Sequence, residues 1–320
     1  MTIVEASALI KKKALEIGFS ACGISKAERV GQDAIDEYEY WLEKGWAAGM
    51  DYMQKNKTLR YDPTELQPGA KSLICVAMNY YPEKELDSNV SFAYYSYGKD
   101  YHFVVKSYLA LLLKYIEEYI SPYLCPNVVL EGRAFTDSAP ILERYWAEKS
   151  GVGCKGRNSL IIVPKVGSFC FLGILAVNIE LSYDSPISIS CGNCHRCEET
   201  CPTHAICNRI VDANKCISYH TIENRSENIP EDISCKLGNR VFGCDACQKA
   251  CPWNRFVTPT KVKEFSPSEK FMNVTSTSIL NMDKQEFKSV FGDSAISRAG
   301  LKGLQRNVSY SNICKAEIAE

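Results

Sequence analysis

The stretch Cys191-Gly-Asn-Cys194-His-Arg-Cys197-Glu-Glu-Thr-Cys201-Pro202 constrains this chain more than any other. Its spacing, C-x2-C-x2-C-x3-C-P, is the one by which a short loop wraps three thiolates around one iron–sulfur cube. The fourth cysteine, beside proline, is sent to a second cube. Residues three apart in a tight loop bring three sulfurs to the corners of a small cluster, and the longer last step with proline turns the chain away. Downstream, Cys244-Asp-Ala-Cys247-Gln-Lys-Ala-Cys251-Pro252 repeats the later half of the pattern. A zinc site of two C-x2-C knuckles is the plain rival. Zinc takes four thiolates, whereas seven stand here in register with the C-P signature twice, so the spacing points to two clusters.

Ligand counting then leaves a gap. If Cys191, Cys194 and Cys197 hold one cluster, the returning Cys251 completes it. Cys201, Cys244 and Cys247 begin the other, which lacks one ligand. An ordinary second motif supplies it at position 241, where Val241 stands. Cys207, Cys216 and Cys235 are the candidates. Cys207 follows Cys201 closely, and Cys216 opens Cys-Ile-Ser-Tyr-His-Thr-Ile-Glu behind a polar turn containing Asp212 and Asn214. Spacing does not choose among them.

Cys count is 16 in 320 residues, which raises a disulfide framework as another explanation. Length, motif spacing and an N-terminus (Met-Thr-Ile-Val-Glu, then Lys11-Lys12-Lys13) without an apolar signal core argue instead for a reducing cytoplasm. The longest apolar run, Phe169 to Val177 broken only by Gly173, is far short of the ~20 residues of a membrane span, so no membrane partner is expected. A formal net charge of −1 with 23% charged residues gives no global pull toward nucleic acid, and any such partner must meet a local patch.

The length suits one large and one small domain. Residues 4–17 and Asp33 to Gly45 read as helices, and Ser72 to Tyr81 as a buried strand. A strong helix follows from Phe103 to Tyr119, with Leu109, Leu111, Leu112, Leu113 and Ile116 inward. A strand is expected at Asn127 to Leu130, then a helix from Pro140 to Lys149 with proline in its first turn. Leu160 to Val163 and Phe169 to Ile179 read as a hairpin around Lys165 to Ser168. The resulting class is mixed α/β (α+β). The expected division is an α/β body at 1–182, a ferredoxin-like segment for two 4Fe-4S clusters at 183–258, and a helical C-terminal segment at 259–320. In the last, helices are expected at Met282 to Phe291 and Ala295 to Val308.

Other features have plain readings. Gly151-x-Gly153-x-x-Gly156 matches a dinucleotide fingerprint by letters only, since it follows a helix and precedes a strand. With Lys155 and Arg157 it could still approach a large anionic cofactor. On residue pattern alone, Asp137 reads as a helix cap. His195, His204 and His220 read as groups around or outside the thiolates. Arg298, Lys302 and Arg306 form an acid-free row on the expected last helix, either a solvated face or a phosphate contact, although Gly300 and Gly303 weaken that helix.

Taken together, the pieces resemble the epoxyqueuosine reductase family along nearly the whole chain. The resemblance is carried by Arg60-Tyr-Asp-Pro, Pro68-Gly-Ala-Lys-Ser72, Gly98-Lys-Asp-Tyr-His102, Thr136-Asp-Ser-Ala-Pro140 and Ser150-Gly-Val-Gly-Cys-Lys-Gly-Arg-Asn158. Both cysteine motifs, Cys216-Ile-Ser-Tyr-His-Thr-Ile-Glu223 and Ser294-Ala-Ile-Ser-Arg298 follow in order. The resemblance implies a cobalamin-dependent reductase with two 4Fe-4S clusters, acting on epoxyqueuosine in the tRNA anticodon stem-loop and releasing water. It implies Cys216 as the missing ligand and Asp137 as proton donor, a role that calls for a pKa raised by burial beside the corrin face. It also implies that Arg60, Tyr101, His102, Asp137, Asn158, Ser218 and Tyr219 border the cobalamin. An unidentified donor would supply electrons to a monomer.

Two departures stand out. Arg157-Asn158 occupies the place of an expected lysine-asparagine pair, and arginine differs from lysine in geometry. Many members also continue past the equivalent of Asn307 into helical repeats. The rival classes are a corrinoid iron–sulfur reductase of small molecules, such as a reductive dehalogenase, and a plain ferredoxin-type carrier. No twin-arginine export signal supports the first, and the large α/β body goes unexplained under the second.

Overall fold

In the computed structural model, which describes residues 1–316, the apolar run at 72–79 is a strand with a neighbour on each side and a layer on each face. Four strands, β1 (Ala21–Lys26), β2 (Ser72–Asn79), β3 (Gly132–Phe135) and β4 (Cys170–Val177), form an antiparallel sheet in the order β1-β2-β4-β3. Alternation along β2 sends Ile74, Val76 and Met78 to one face and Leu73, Cys75 and Ala77 to the other, and all six are buried.

The first face is covered by α1 (Ile3–Ile17) and α3 (Tyr101–Tyr119), through Ala6, Ile10 and Ala14 and through Val105, Leu109 and Leu112. Thr2 and Glu5 close a capping box on α1. A Cβ on Gly173 of β4 would lie 2.8 Å from Val105 Cγ1, so glycine is what lets α3 come this close. The second face carries α2 (Gln32–Glu43) and α4 (Glu143–Lys149), with Ile35, Trp146 and Ala147 inward. At Gly23 of β1 a Cβ would sit 2.1 Å from the Ser150 carbonyl oxygen beyond α4.

Several expectations are corrected. In α3, Leu109, Leu112 and Ile116 point inward, but Leu111 is 55% exposed, because the inward stripe follows the 3.6-residue period. Residues 127–130 are not a strand, and Val129 is 82% exposed; pairing with β4 starts instead at Gly132. The expected hairpin is a tight turn closed by one Val163–Gly167 bridge. Ile161–Ile162 pairs back to Cys154–Lys155, while β4 enters the sheet between β2 and β3. The last expected helix is split: Ala295–Arg298 is a 3-10 turn, Gly300 adopts φ +68, and the α-helix runs Gly300–Ala316.

Packing crosses the sequence segments. Arg240–Phe242 pairs in parallel with Ser91–Phe92. Phe271, Phe291, Ile296, Leu304 and Val308 share one core with β2 and α3, and Phe92 meets Phe271 at 5.2 Å. The cysteine-rich segment has its own small core of Ile217, Ile229, Ile233 and Leu237. Among the described residues, no helix is long and apolar enough to cross a membrane.

Candidate active site and cluster ligands

The backbone leaves β3 at Phe135 and is anchored once more where Thr136 Oγ1 donates to the Leu172 carbonyl at 2.7 Å. Asp137 then adopts φ +54, a left-handed conformation uncommon outside glycine but tolerated by aspartate. It is not a helix cap. The helix starts at Glu143, six residues on, and no side chain caps it. The Asp137 carboxylate is turned toward the first turn of α3 instead.

Three side chains meet there. Tyr101 donates its hydroxyl to Asp137 Oδ2 at 2.5 Å, and His102 Nε2 lies 3.2 Å from the same oxygen. His102 Nδ1 is 2.7 Å from Asp100 Oδ1, which also accepts the His102 backbone N–H. Asp100 is the N-cap of α3, so one cap both starts the helix and aims the imidazole. Tyr101 stacks on Phe171 of β4 at 4.3 Å with 4° between the planes, which ties the pair to the sheet.

The electrostatics decide where the proton resides. Burial disfavours the His102 cation, but hydrogen bonds and charge from Asp100 and Asp137 prevail and raise its pKa to about 9. Burial pushes the Asp137 carboxyl up, yet hydrogen bonds from His102 and Tyr101 and the charges of His102 and Arg298 outweigh it and hold it below the ordinary value. The raised value expected of Asp137 beside a corrin face is therefore opposed by its own neighbours, which favour a proton on His102 and a charged Asp137. Behind it, burial and then the Asp137 charge raise Glu143 to about 8.

Among the motif cysteines and Cys216, electrostatic influence runs within two sets of four, although Cys191 also acts on Cys154. Cys191 acts on Cys197 and Cys251, and Cys194 on Cys251. Cys201 and Cys244 act on Cys216, and all three act on Cys247. Cys207 and Cys235 are exposed and belong to neither group. Among the described residues no three His, Cys, Asp or Glu side chains converge as ligands of a single ion do. An iron–sulfur cube holds its thiolates on separate irons and takes this looser grouping. Backbone N–H groups already face the sulfurs: Arg157 reaches Cys191 and Ala205 reaches Cys201, both at 3.3 Å, while Ser218 and Tyr219 serve Cys216. His195 pairs with Glu198 and His220 with the Asn214 carbonyl, outside both groups.

The residues expected around cobalamin include two buried donors without partners, Arg60 Nε and Asn158 Nδ2. Arg60 is 8% and Asn158 5% exposed, and such orphans are costly unless a bound group satisfies them. Two unpartnered buried donors of this kind fit a large polar cofactor. The Tyr219 hydroxyl accepts from the Gly49 N–H at 2.9 Å, and Ser218 is half-buried beside Cys216. The glycine-loop cations are already engaged. Lys155 pairs with Glu37, and the Arg157 guanidinium grips the Cys194 and Gly192 carbonyls at 2.9 and 3.1 Å. Arginine at 157 thus clamps the first cluster loop.

The C-terminal row is also engaged. Arg298 makes a two-pronged contact to Glu223 at 2.8 and 2.9 Å, and Arg306 donates to the carbonyls of His220, Asn224 and Ser226. Only Lys302 of the three is an exposed cation with no such role. The motif Gly98–His102 contains Asp100 but assigns it no role of its own, and Glu143 lies in none of the motifs. The first had a signal, an Asp two residues before His at a helix start, whereas nothing in the pattern linked Glu143 to Asp137.

Comparison with known proteins accords with this geometry. Residues 60–138 match the family model described as "Epoxyqueuosine reductase QueG, DUF1730", and residues 190–254 match "4Fe-4S double cluster binding domain". An epoxyqueuosine reductase from Cyclobacterium marinum is 42% identical, covering 97% of this chain and 97% of its own. One from Escherichia coli is 38% identical over 94% of this chain and 79% of its own. The solved epoxyqueuosine reductase from Streptococcus thermophilus superposes with a TM-score of 0.85 at 27% identity, covering 96% of this chain and 81% of that one. An epoxyqueuosine reductase solved with an epoxyqueuosine-modified tRNA-Tyr stem loop also gives 0.85 at 27% identity, with 97% and 81% covered.

Proposed function

The chain belongs to the epoxyqueuosine reductase family, and from that premise we propose that it reduces epoxyqueuosine to queuosine in the anticodon stem-loop of tRNA. Two 4Fe-4S clusters and cobalamin are its cofactors. Cys191, Cys194, Cys197 and Cys251 hold one cluster, and Cys201, Cys216, Cys244 and Cys247 the other, a reading supported by the two foursomes. Residues 1–182 form the cobalamin-binding body, 183–258 the cluster segment and 259–320 a C-terminal segment. A reducing cytoplasm suits a chain that keeps its motif cysteines as cluster thiolates.

Reduction of an epoxide to an alkene consumes two electrons and two protons and releases the oxygen as water. An external donor supplies the electrons through the clusters. When bound, cobalamin would supply a strongly reducing cobalt centre for the epoxide-bearing ring. This chain's own residues manage one of the two protons, and solvent supplies the other. Asp100 fixes the His102 ring, His102 holds a proton at neutral pH, and the Asp137 carboxylate passes it toward the epoxide oxygen. Tyr101 keeps Asp137 Oδ2 oriented. Arg60 and Asn158 offer their free donors to the cofactor.

The observation that carries this reading is Asp137, turned away from its helix and bound to Tyr101 and His102. Anoxic purification with cofactor reconstitution, followed by nucleoside analysis of tRNA containing epoxyqueuosine, tests it. Formation of queuosine with a corrinoid absorption band is expected. No queuosine from a cofactor-replete preparation refutes the reading.

A further inference from the structure

Asp137 is presented by a short loop, and what holds that loop is visible. Thr136 is tied to β4, and Ile141 is buried against the sheet. Between them, Ser138 is exposed and Ala139 packs partly against the core. The carboxylate meets Tyr101 and His102, and Ser138 Oγ accepts from Lys106 at 3.1 Å. The third tie is different in kind. The Asp137 backbone N–H donates to Glu143 Oε1 at 2.6 Å. Glu143 is the first residue of α4, and α4 is immobilised by Trp146 and Ala147, both at most 1% exposed.

We propose that Glu143 is a positioning residue that latches the Asp137 loop: its carboxyl oxygen captures the Asp137 N–H and so keeps the Asp137 side chain against Tyr101 and His102. A left-handed residue between an anchored strand end and an open loop has no hydrogen bond of its own to hold its amide. Rotation of that peptide would swing the carboxylate off His102. A fixed acceptor on a rigid helix prevents the rotation at the one peptide that matters. Asp137 touches the reacting groups and Glu143 acts through it.

The inference rests on the proposed role of Asp137 for its catalytic consequence, but the latch itself is read without turnover. The test uses holoenzyme with both clusters and corrinoid, comparing Glu143→Ala, Glu143→Asp and Glu143→Gln. Hydrogen–deuterium exchange of the peptide spanning 136–142 is measured beside kcat and KM for epoxyqueuosine-tRNA. Losing one such hydrogen bond corresponds to about a tenfold change in the open population. Loop exchange should therefore rise about tenfold in Glu143→Ala and Glu143→Asp, whose acceptors are absent or too short. In both, kcat follows the closed fraction, so it should fall by less than the exchange rises, with KM nearly unchanged. Glu143→Gln keeps an acceptor oxygen and should restore loop protection and most of kcat. If Glu143→Ala does not fold, Glu143→Asp carries the comparison. Wild-type loop protection in the folded Ala or Asp variant overturns the latch, as does Glu143→Gln exchanging as fast as they do. A wild-type enzyme inactive on epoxyqueuosine-tRNA refutes the functional reading instead, and leaves the exchange result to judge the latch.

Discussion

Replacing Asp137 by Asn isolates the proton route. The backbone tolerates the change, because asparagine accepts the left-handed φ of +54, and the amide oxygen can still receive the Tyr101 hydroxyl. Fold, clusters and cobalamin should therefore survive. His102 loses one of two anionic partners, the one at 3.2 Å, and keeps Asp100 at 2.7 Å. A neighbouring opposite charge moves a pKa by about 1 to 3, and the more distant of the two should account for about 1. Starting from about 9, His102 thus remains largely protonated at neutral pH even in the variant. The variant still has its proton but lacks a carboxylate to pass it on. Turnover should fall by roughly two to four orders of magnitude. Single-turnover assays of cofactor-replete protein, with a titration of the His102 ring by NMR, read both quantities. In the parent enzyme, activity should decline as pH rises through about 9, where the imidazolium is lost. Because His102 is raised in the folded state from 6.5, its contribution to stability is complete below 6.5 and is lost as pH rises through about 9. Near-normal turnover in Asp137→Asn with intact cofactors would refute the assignment.

Cys216→Ala should reduce iron from about eight to about four per chain, while Cys207→Ala and Cys235→Ala, at exposed positions, keep the full content by iron and sulfide analysis. Asn158→Ala removes an unpartnered buried donor and should weaken corrinoid retention about tenfold, measured by absorbance after gel filtration, without loss of iron. Arg306→Ala leaves three carbonyls without their donor and should destabilise the protein by about 2 kcal/mol in thermal unfolding. The Arg298, Lys302, Arg306 triple alanine variant should bind tRNA with a salt slope changed by at most about 0.9, since only Lys302 is free to meet a phosphate.

Legibility tracked the range of the interaction. The stripe Leu109, Leu112, Ile116 and the unbroken run of β2 announce a helix and a buried strand, because periodicity and burial are local consequences of backbone geometry. Strand partners are not legible: Cys170–Val177 reads as half of a hairpin and is instead one of the sheet's two inner strands, since its partners lie far away in sequence. Arg298 and Arg306 looked available for phosphates because nothing nearby in sequence opposes them. Their true partners, Glu223 and the carbonyls at 220–226, arrive from the cluster segment.

By itself the sequence determined the cluster chemistry, since C-x2-C-x2-C-x3-C-P is a geometric demand that a few bonds of local chain satisfy. Tertiary structure alone decided where the proton rests. The same carboxyl that reads as a helix cap in the pattern is turned by a left-handed backbone toward Tyr101 and His102, so that two carboxylates converge on one imidazole. A pKa is set by charges and burial within a few ångströms, and those neighbours come from the end of β3 and the start of α3, elements brought together only by folding.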